Sequence, residues 1–173
     1  MPHARVEPRL ARCPWAEGSA AERHYHDTEW GVPVHDERRL FEMLTLEGAQ
    51  AGLSWRTVLQ KREGYRRVFL DYDIGALAAL SDAALETRLG DPGIVRNRLK
   101  VWSVRGNARA VQRLHATGDS LDRLLWSFVD GRPRDERRLQ MADVPARSIA
   151  ADAMGKPLRR RGFRFVRSTI RHA

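Results

Sequence analysis

Apolar residues recur every three or four positions in several segments of this sequence. Between Asp36 and Gly52 they are Leu40, Met43 and Leu44, with Ala51 following on the same side. After Arg98 the same spacing is kept by Val101, Val104, Ala108, Val111 and Leu114. Alternation at a period of two is confined to Phe163 and Phe165, which is too short for a sheet. The pattern therefore predicts an all-α fold.

Residues that favour helix ends divide the chain into successive helices. Asp36, Ser54, Ser81 and Ser120 are good N-terminal caps, whereas Gly52, Gly90, Gly118 and Gly162 favour helix C-termini. The predicted helices are a short one at 22–25, one between Asp36 and Gly52, one from Ser54 to about Leu70, one at 73–80, one from Ser81 through Leu89, a long one from near Arg98 to Gly118, one after Ser120, and a last one that Ser148 starts and that runs from Ile149 to about Arg161. A loop is expected at 130–147.

The length of 173 residues is typical of one domain with a core of its own. Residues 1–12 are polar and contain proline, so we expect a loose lead-in followed by a single helical domain over 13–173. One cysteine excludes an internal disulfide, and no apolar run approaches the length of a signal sequence or a membrane span. These features predict a cytoplasmic protein.

Several common catalytic motifs are absent from the sequence. It contains no internal repeat, no GxxxxGK[ST] phosphate-binding loop, and no GxGxxG, HExxH or CxxC motif. Nucleotide hydrolysis, dinucleotide binding and zinc proteolysis are therefore not among the functions that the sequence favours.

Ring side chains and one carboxylate are concentrated between His24 and Trp55. The rings are Tyr25, His26, Trp30 and Trp55. Glu47 follows Met43 by four residues and Leu40 by seven, which places its carboxylate on the apolar face of the predicted helix. A carboxylate in the interior must be paired or neutralised. Both an ion pair with one of the many arginines and a functional role would satisfy that requirement.

The neighbouring rings favour the functional role for Glu47. Aromatic faces stack on flat ligands and attract positive charge, while a carboxylate accepts hydrogen bonds from N–H groups. A flat, cationic ligand such as an alkylated purine would suit both features.

The formal net charge is +9, from 31 basic and 22 acidic residues, which favours a polyanionic partner. Only three of the basic residues are lysines, so a general bias toward arginine is an alternative explanation. The position of the charge is more informative than its total. Residues 96–113 contain six basic residues and no acid, and residues 155–173 are also rich in arginine and free of acid. We therefore expect two basic faces.

A glycine-containing turn joins two predicted helices between Leu85 and Leu114. Gly93 and Ile94 lie in the turn, and Arg96, Arg98 and Lys100 follow it. Such a hairpin can direct backbone N–H groups, a helix N-terminus and basic side chains at a phosphate of DNA without reading the bases. Helix pairs joined by Pro-Gly turns are also common structural units, and the turn alone does not separate the two interpretations.

Taken together, the motifs closely resemble the DNA-3-methyladenine glycosylase I family. They are CPW at 13–15, YHDTEWGVP at 25–33, LFEMLTLEGAQAGLSW at 40–55, GIVRNRLKV at 93–101, GNARA at 106–110, WSFV at 126–129 and RGFRFV at 161–166. They occur in the family's order and cover almost everything from Cys13 to Ile170.

The resemblance implies a helix-hairpin-helix DNA glycosylase of base excision repair, a monomer that removes 3-methyladenine from alkylated double-stranded DNA without cutting the strand. It implies that Glu47 and Tyr25 hydrogen-bond the expelled base, that Trp55 stacks on it, and that Trp15 and Trp30 are further aromatic pocket positions. Cys13 and His26 match two of four zinc ligands. Related glycosylases of this fold use a catalytic aspartate that this family lacks, and no general base is assigned.

The sequence departs from the family pattern at several positions. Glu22 replaces a tyrosine that often lines the pocket, Gly155 and Pro157 occupy places where good helix formers are usual, and Arg167 replaces a glycine. A proline inside a helix costs roughly 3 kcal/mol.

The family's final helix and its His-x3-Cys zinc ligands are also missing from this sequence, in which His172 stands too close to Ile170 to be one of them. We therefore expect zinc to be held weakly or not at all. A truncated, non-catalytic protein that binds DNA or the alkylated base is the alternative to an active glycosylase.

Overall fold

The computed structural model describes residues 12–134 and 149–166, and within these ranges it contains α-helices and 3-10 turns but no β-strand. The prediction of an all-α fold is confirmed. The helices are α1 (Ala20–Thr28), α2 (Glu37–Gln50), α3 (Trp55–Gln60), α4 (Arg62–Val68), α5 (Ile74–Ala78), α6 (Asp82–Leu89), α7 (Arg98–Ala116), α8 (Leu121–Trp126) and α9 (Ile149–Arg160). The 3-10 turns are Pro14–Gly18, Leu70–Tyr72 and Ser127–Val129. None of these helices is long and apolar enough to cross a membrane.

Side-chain caps determine where these helices begin. The four predicted caps each accept a hydrogen bond from the backbone N–H three residues later. Ser19, Asp73 and Asn97 do the same for α1, α5 and α7. At the other end, the backbone reverses through positive φ at Gly52, Gly118 and Gly162, just after α2, α7 and α9.

Three predicted boundaries were wrong. The helix predicted from Ser54 to about Leu70 is interrupted at Lys61 and ends at Val68, because residues 70–72 adopt positive φ while the chain turns to bury Phe69 and Tyr72. The helix predicted at 22–25 is longer, since Ser19 caps it. Gly90 follows α6 with a φ of −74°, so it does not use the left-handed conformation expected of a terminating glycine.

The long helix α7 carries its predicted apolar stripe into the core. The five residues of that stripe are each at most 6% exposed. The helix packs mainly against α5 and also against α6 and α2. Its first turn lies beside the C-terminus of α2, where the Lys100 ammonium donates to the carbonyl oxygens of Ala49 (2.8 Å) and Ala51 (2.6 Å).

Helix α9 continues through Pro157, contrary to the expectation that a proline would disturb it, and nothing in the structure explains the choice of proline. A Cβ at Gly155 would lie 3.4 Å from the Val166 carbonyl oxygen of the returning chain, an ordinary van der Waals contact, so packing does not require glycine there. Several sequence-based predictions lie outside the described residues: the lead-in over 1–11, the loop over 135–147, Ser148 as the start of the last helix, the role of Arg167 and the exclusion of His172 as a zinc ligand.

Candidate functional site

The predicted ring side chains meet at the N-terminal part of the fold. Trp55, the first residue of α3, presents its edge to Tyr25 of α1, with 5.2 Å between ring centroids. Trp15 contacts Trp30 and His26 at 5.5 and 5.4 Å, and His26 stacks on Trp30 at 5.2 Å. A tilted contact of 6.3 Å between Trp15 and Tyr25 joins the two groups. We call these five residues the aromatic site.

Glu47 lies on α2 near this site and has no ion pair or hydrogen bond to any described residue. The residue is half-buried, and burial of the carboxyl group raises its pKa to about 8. Burial of the phenol raises the pKa of Tyr25, and the charge of Glu47 raises it further. With a pKa of about 8, the Glu47 carboxyl group is mostly protonated at neutral pH.

Two further polar groups of the aromatic site have no internal partner among the described residues. The indole N–H of Trp55 is buried without an acceptor, in a residue that is 8% exposed. The hydroxyl group of Tyr25, a residue that is 2% exposed, makes no hydrogen bond. Buried polar groups are nearly always hydrogen-bonded in folded proteins. The Thr45 and Tyr72 hydroxyl groups, outside the aromatic site, are also buried without a partner in the described part of the chain. The Trp55 and Tyr25 groups differ from them in belonging to two rings in contact with each other, an arrangement that suits a flat ligand.

The ion-paired acid of α2 is Glu42, which the sequence analysis did not single out. It is 3% exposed and accepts hydrogen bonds from Arg39, from Arg62 at 2.8 Å and from Arg66 at 3.3 Å. Arg62 also binds both oxygens of Glu29 at 2.8 and 2.9 Å. The structural ion pair, which was one of the two possible roles of Glu47, is thus formed by Glu42 instead. The Arg39 and Glu42 spacing of three on one helix was the signal available in the sequence.

Glu22, expected to alter one wall of the pocket, is buried and satisfied. Its carboxylate accepts hydrogen bonds from Ser19 Oγ (2.9 Å) and Arg56 Nε (2.9 Å). The guanidinium of Arg56 covers Gly18, where a Cβ would lie 1.8 Å from Arg56 Nη2. Because Arg56 follows Trp55 on α3, this pair ties α1 to α3 beside the contact between Tyr25 and Trp55.

Cys13 and His26 lie next to each other, as predicted. The Cys13 backbone N–H donates to His26 Nε2 at 3.3 Å, and His26 Nδ1 lies 2.9 Å from Asp27 Oδ1. Within residues 12–134 and 149–166, no three His, Cys, Asp or Glu side chains are grouped to hold a metal ion. The described residues therefore supply two of the four ligands of a closed zinc site, and by themselves they do not fit the ion.

The turn between α6 and α7 is held tightly by α4. Asp91 accepts from the Gly93 N–H (2.7 Å) and from Arg67 (2.8 and 3.0 Å), and the Val95 N–H donates to the Tyr65 hydroxyl at 3.3 Å. Gly64 allows the close approach, since a Cβ there would lie 2.1 Å from the Gly93 carbonyl oxygen.

These hydrogen bonds bear on Gly93 and Ile94, the two turn residues that were predicted to contact DNA. The Gly93 N–H is already bonded, and Ile94 is 1% exposed in the core. Both residues therefore shape the turn, and neither offers a free group to a phosphate.

Three basic residues after the turn were predicted to contact DNA, and they differ in their surroundings. Lys100 bonds two carbonyl oxygens of α2, and burial lowers its pKa. Arg98 lies over the Trp102 ring at 4.2 Å and is paired with Glu86 at 2.6 Å. Arg96 is exposed and has no ion pair or hydrogen bond within the described part of the chain. Arg96 is therefore the cation of the three that is most available to a phosphate.

The C-terminal half of the expected basic face along residues 96–113 makes contacts within the fold. Arg105 donates to the Leu80 carbonyl oxygen, Arg109 to that of Ala78 and Arg113 to that of Arg161. These carbonyl oxygens lie at or just after the ends of α5 and α9, and Arg109 and Arg113 remain exposed, so their charge stays at the surface. A sequence pattern of arginines does not distinguish a capping role from an exposed one.

A cleft of about 330 Å³ shares Tyr25 with the aromatic site but none of its other residues. Its remaining lining residues are Ala21, His24, Glu29, Arg39, Leu59, Arg62, Glu63 and Arg66. Glu29, Arg39 and Arg62 are already joined in the ion pairs around Glu42. The aromatic site contains two groups without a partner in the described ranges, the Tyr25 hydroxyl and the Trp55 indole N–H, and we regard that site as the functional one.

The chain is similar in sequence and structure to known repair enzymes. The family model for methyladenine glycosylase matches residues 15–173. The DNA-3-methyladenine glycosylase 1 of Escherichia coli (strain K12) is 42% identical over 161 residues, which are 93% of this chain and 86% of the relative. A crystal structure of 3-methyladenine DNA glycosylase I has a TM-score of 0.89 and 44% identity, with 92% of this chain and 88% of that chain covered. A structure of such a glycosylase in complex with 3-methyladenine has a TM-score of 0.87 and 29% identity, with 92% and 86% covered.

Proposed function

We infer that this chain, which belongs to the methyladenine glycosylase family, is a DNA glycosylase that hydrolytically releases 3-methyladenine from alkylated DNA. Three polar groups without a partner among the described residues carry this inference: the Tyr25 hydroxyl and the Trp55 indole N–H of the aromatic site, and the Glu47 carboxyl beside it. A flat base with N–H groups and ring nitrogens would satisfy them. Trp15 and Trp30 would complete the aromatic wall.

Selection of the damaged base follows from the protonation of Glu47. Methylation at N3 gives adenine a positive charge while it is attached to the sugar. A cation entering the site favours the ionised form of Glu47, so binding releases the proton that Glu47 carries. Ordinary adenine is neutral and does not favour the ionised form of Glu47 in this way. The cationic base therefore binds more tightly than adenine, through Glu47 acceptance and stacking on Trp55.

The positive charge also makes the methylated base a good leaving group. The enzyme must take the base out of the helix stack, hold it in the aromatic site and admit a water molecule to the sugar. Positive charge that develops on the sugar is stabilised by the neighbouring phosphates of the DNA. No residue of the chain is assigned as a general base.

The direct test is release of 3-methyladenine from methylated duplex DNA by the purified chain, followed by chromatography of the free base. We expect release of 3-methyladenine and an uncut strand bearing an abasic site. Tight binding of free 3-methyladenine without any release would support the alternative, a non-catalytic protein that binds the base.

Double-stranded DNA is the proposed substrate, and α6, the turn and α7 are the proposed helix-hairpin-helix. Arg96 and the free N–H groups at the start of α7 would bind one phosphate. A monomer in the cytoplasm remains our expectation for the state of the protein.

We predict that Arg96→Ala weakens binding of undamaged duplex DNA equally for all sequences and reduces the slope of log K against log salt by about 1. Lys100→Ala is the matched control, because it removes one charge that is bonded to α2 and should lower thermal stability while leaving the slope unchanged. Fluorescence anisotropy over a salt series measures both. Equal slopes for Arg96→Ala and the wild type would place the phosphate contact elsewhere.

We predict that zinc binds weakly or not at all to this 173-residue chain. Cys13 is its only cysteine, and two ligands leave a zinc ion open to water, whereas structural sites are closed by four. Elemental analysis of protein purified without chelator checks this. One zinc per chain that survives dialysis would contradict the prediction and would mean that other residues, or a second chain, complete the site.

A further inference from the structure

We propose that Arg164, positioned by Asn107, and the exposed cations of α9 form a second phosphate-binding surface for the DNA duplex. The proposal rests on the proposed function, because it takes DNA as the substrate. It assigns a role to the GNARA and RGFRFV motifs, which the aromatic site and the hairpin do not use.

Asn107 connects the two motifs across 57 residues. Its side chain is 3% exposed, and its amide donates to the Arg164 carbonyl oxygen at 3.2 Å while its carbonyl accepts from the Arg164 N–H at 2.8 Å. A buried amide is thus used entirely on the backbone of one residue. Phe163 and Val166, on either side, are buried at 1% and 5% exposure. The backbone of Arg164 is fixed in place, whereas the residue itself stays exposed.

The backbone conformation next to Arg164 also indicates that the surrounding contacts hold this segment in place. Phe165 has a φ of 56°, which is uncommon for a residue with a bulky side chain. Such conformations persist when the surrounding contacts hold them, and they cluster at functional sites. Phe165 lies against Gly48, where a Cβ would be 3.1 Å from the Phe165 Cβ. Gly48 follows Glu47, so this segment adjoins the helix that carries the base-selecting carboxyl group.

The surface lies at a distance from the hairpin that suits one DNA strand. Asn107 is nine residues after the first residue of α7, a rise of about 14 Å along the helix axis. Since each strand of DNA carries one charge per 3.4 Å of axis, this separation corresponds to about four nucleotides. In this proposal Arg96 and Arg164 contact phosphates about that far apart.

The cations of this surface form no ion pairs with described residues, whereas several cations along α7 are bonded within the fold. The exposed cations are Lys156, Arg159, Arg160 and Arg164, and none forms an ion pair with a described residue. By contrast, Lys100, Arg105 and Arg109 bond carbonyl oxygens. A surface of unpaired cations fits a polyanion, and the regular spacing of phosphates on a duplex provides one.

The test is the salt dependence of binding to undamaged duplex DNA, measured on the full chain. We expect Arg164→Ala to lower the slope of log K against log salt by about 1, and the Arg159→Ala/Arg160→Ala double variant to lower it by about 2. Arg164→Lys keeps the charge and should restore the slope. Arg38→Ala is the matched control. It removes one charge near the N-terminus of α2, at the end away from Gly48, and should leave the slope unchanged.

Asn107→Ala tests the positioning role. We expect Asn107→Ala to lower the slope of log K against log salt, and adding Arg164→Lys to Asn107→Ala should not restore it. Binding of free 3-methyladenine should be unchanged. Wild-type slopes in Arg164→Ala and in the double variant would overturn the proposal, while a wild-type chain that still releases 3-methyladenine leaves the proposed function in place. A wild-type chain that binds no DNA would overturn both.

Discussion

Glu47→Gln is expected to abolish most of the release of 3-methyladenine while leaving the fold intact. The glutamine keeps the shape and one acceptor oxygen but cannot become negative when the cationic base enters. Removing one partner of a desolvated charge pair costs about 2–5 kcal/mol, which is roughly a 30-fold to 5,000-fold loss. Single-turnover release from methylated duplex DNA measures the loss, and binding of undamaged DNA should be nearly unchanged.

The same substitution should make stability less dependent on pH. Since burial raises the Glu47 pKa to about 8 in the folded chain, the folded state holds a proton that the unfolded state releases above pH 4.5. The contribution of the Glu47 proton to the free energy of unfolding is fully present below pH 4.5. It falls by at most about 1.4 kcal/mol per pH unit up to pH 8 and then levels off. Urea unfolding at pH 5, 7 and 9 should show that Glu47→Gln gains stability relative to the wild type as the pH rises.

Glu63→Gln is a matched control for both measurements, because the Glu63 side chain is 79% exposed. It should change neither release nor the pH dependence. If Glu47→Gln lowers thermal stability and leaves release unchanged, then Glu47 is a structural residue and the base is selected elsewhere.

The parts of this fold that sequence predicts well are those set by nearby residues. Caps such as Asp36 and Ser54 act on the first turn of their own helix, and the apolar stripe of α7 repeats within a single helix. The position of Trp55 near the end of α2 also follows from local chain order, because a short turn separates α2 from α3. These signals do not depend on distant parts of the chain.

The parts that sequence predicts poorly are those set by distant partners. Glu42 and Glu47 are five residues apart, about 140° around α2, and only Glu47 was expected from the sequence to face the interior. Which of them is paired depends on Arg62 and Arg66, which reach α2 from α4. The same holds for Lys100 and Arg105, whose carbonyl partners lie on other elements. Counting arginines along the chain could not show that these charges are used internally.

Glu42→Ala is expected to destabilise the fold more than any other substitution considered for α2. It leaves the buried guanidinium of Arg62, whose side chain is 12% exposed, without one of its two carboxylates. Breaking a buried ion pair by removing one partner typically costs about 3–5 kcal/mol. For a chain of this length that corresponds to a fall in Tm of roughly 6–20 °C. Thermal unfolding followed by circular dichroism checks this.

The hydrogen bonds from Arg62 and Arg39 lower the pKa of Glu42 against the opposing effect of burial. Its contribution to stability is therefore present above pH 4.5 and is lost as the pH falls through the lowered pKa, so the difference between the wild type and Glu42→Ala should narrow in acid. At a temperature where both are folded, release of 3-methyladenine per folded molecule should remain close to that of the wild type. A Glu42→Ala protein that is as stable as the wild type but inactive would reverse the roles assigned to the two glutamates, because the paired acid would then be the one that meets the base.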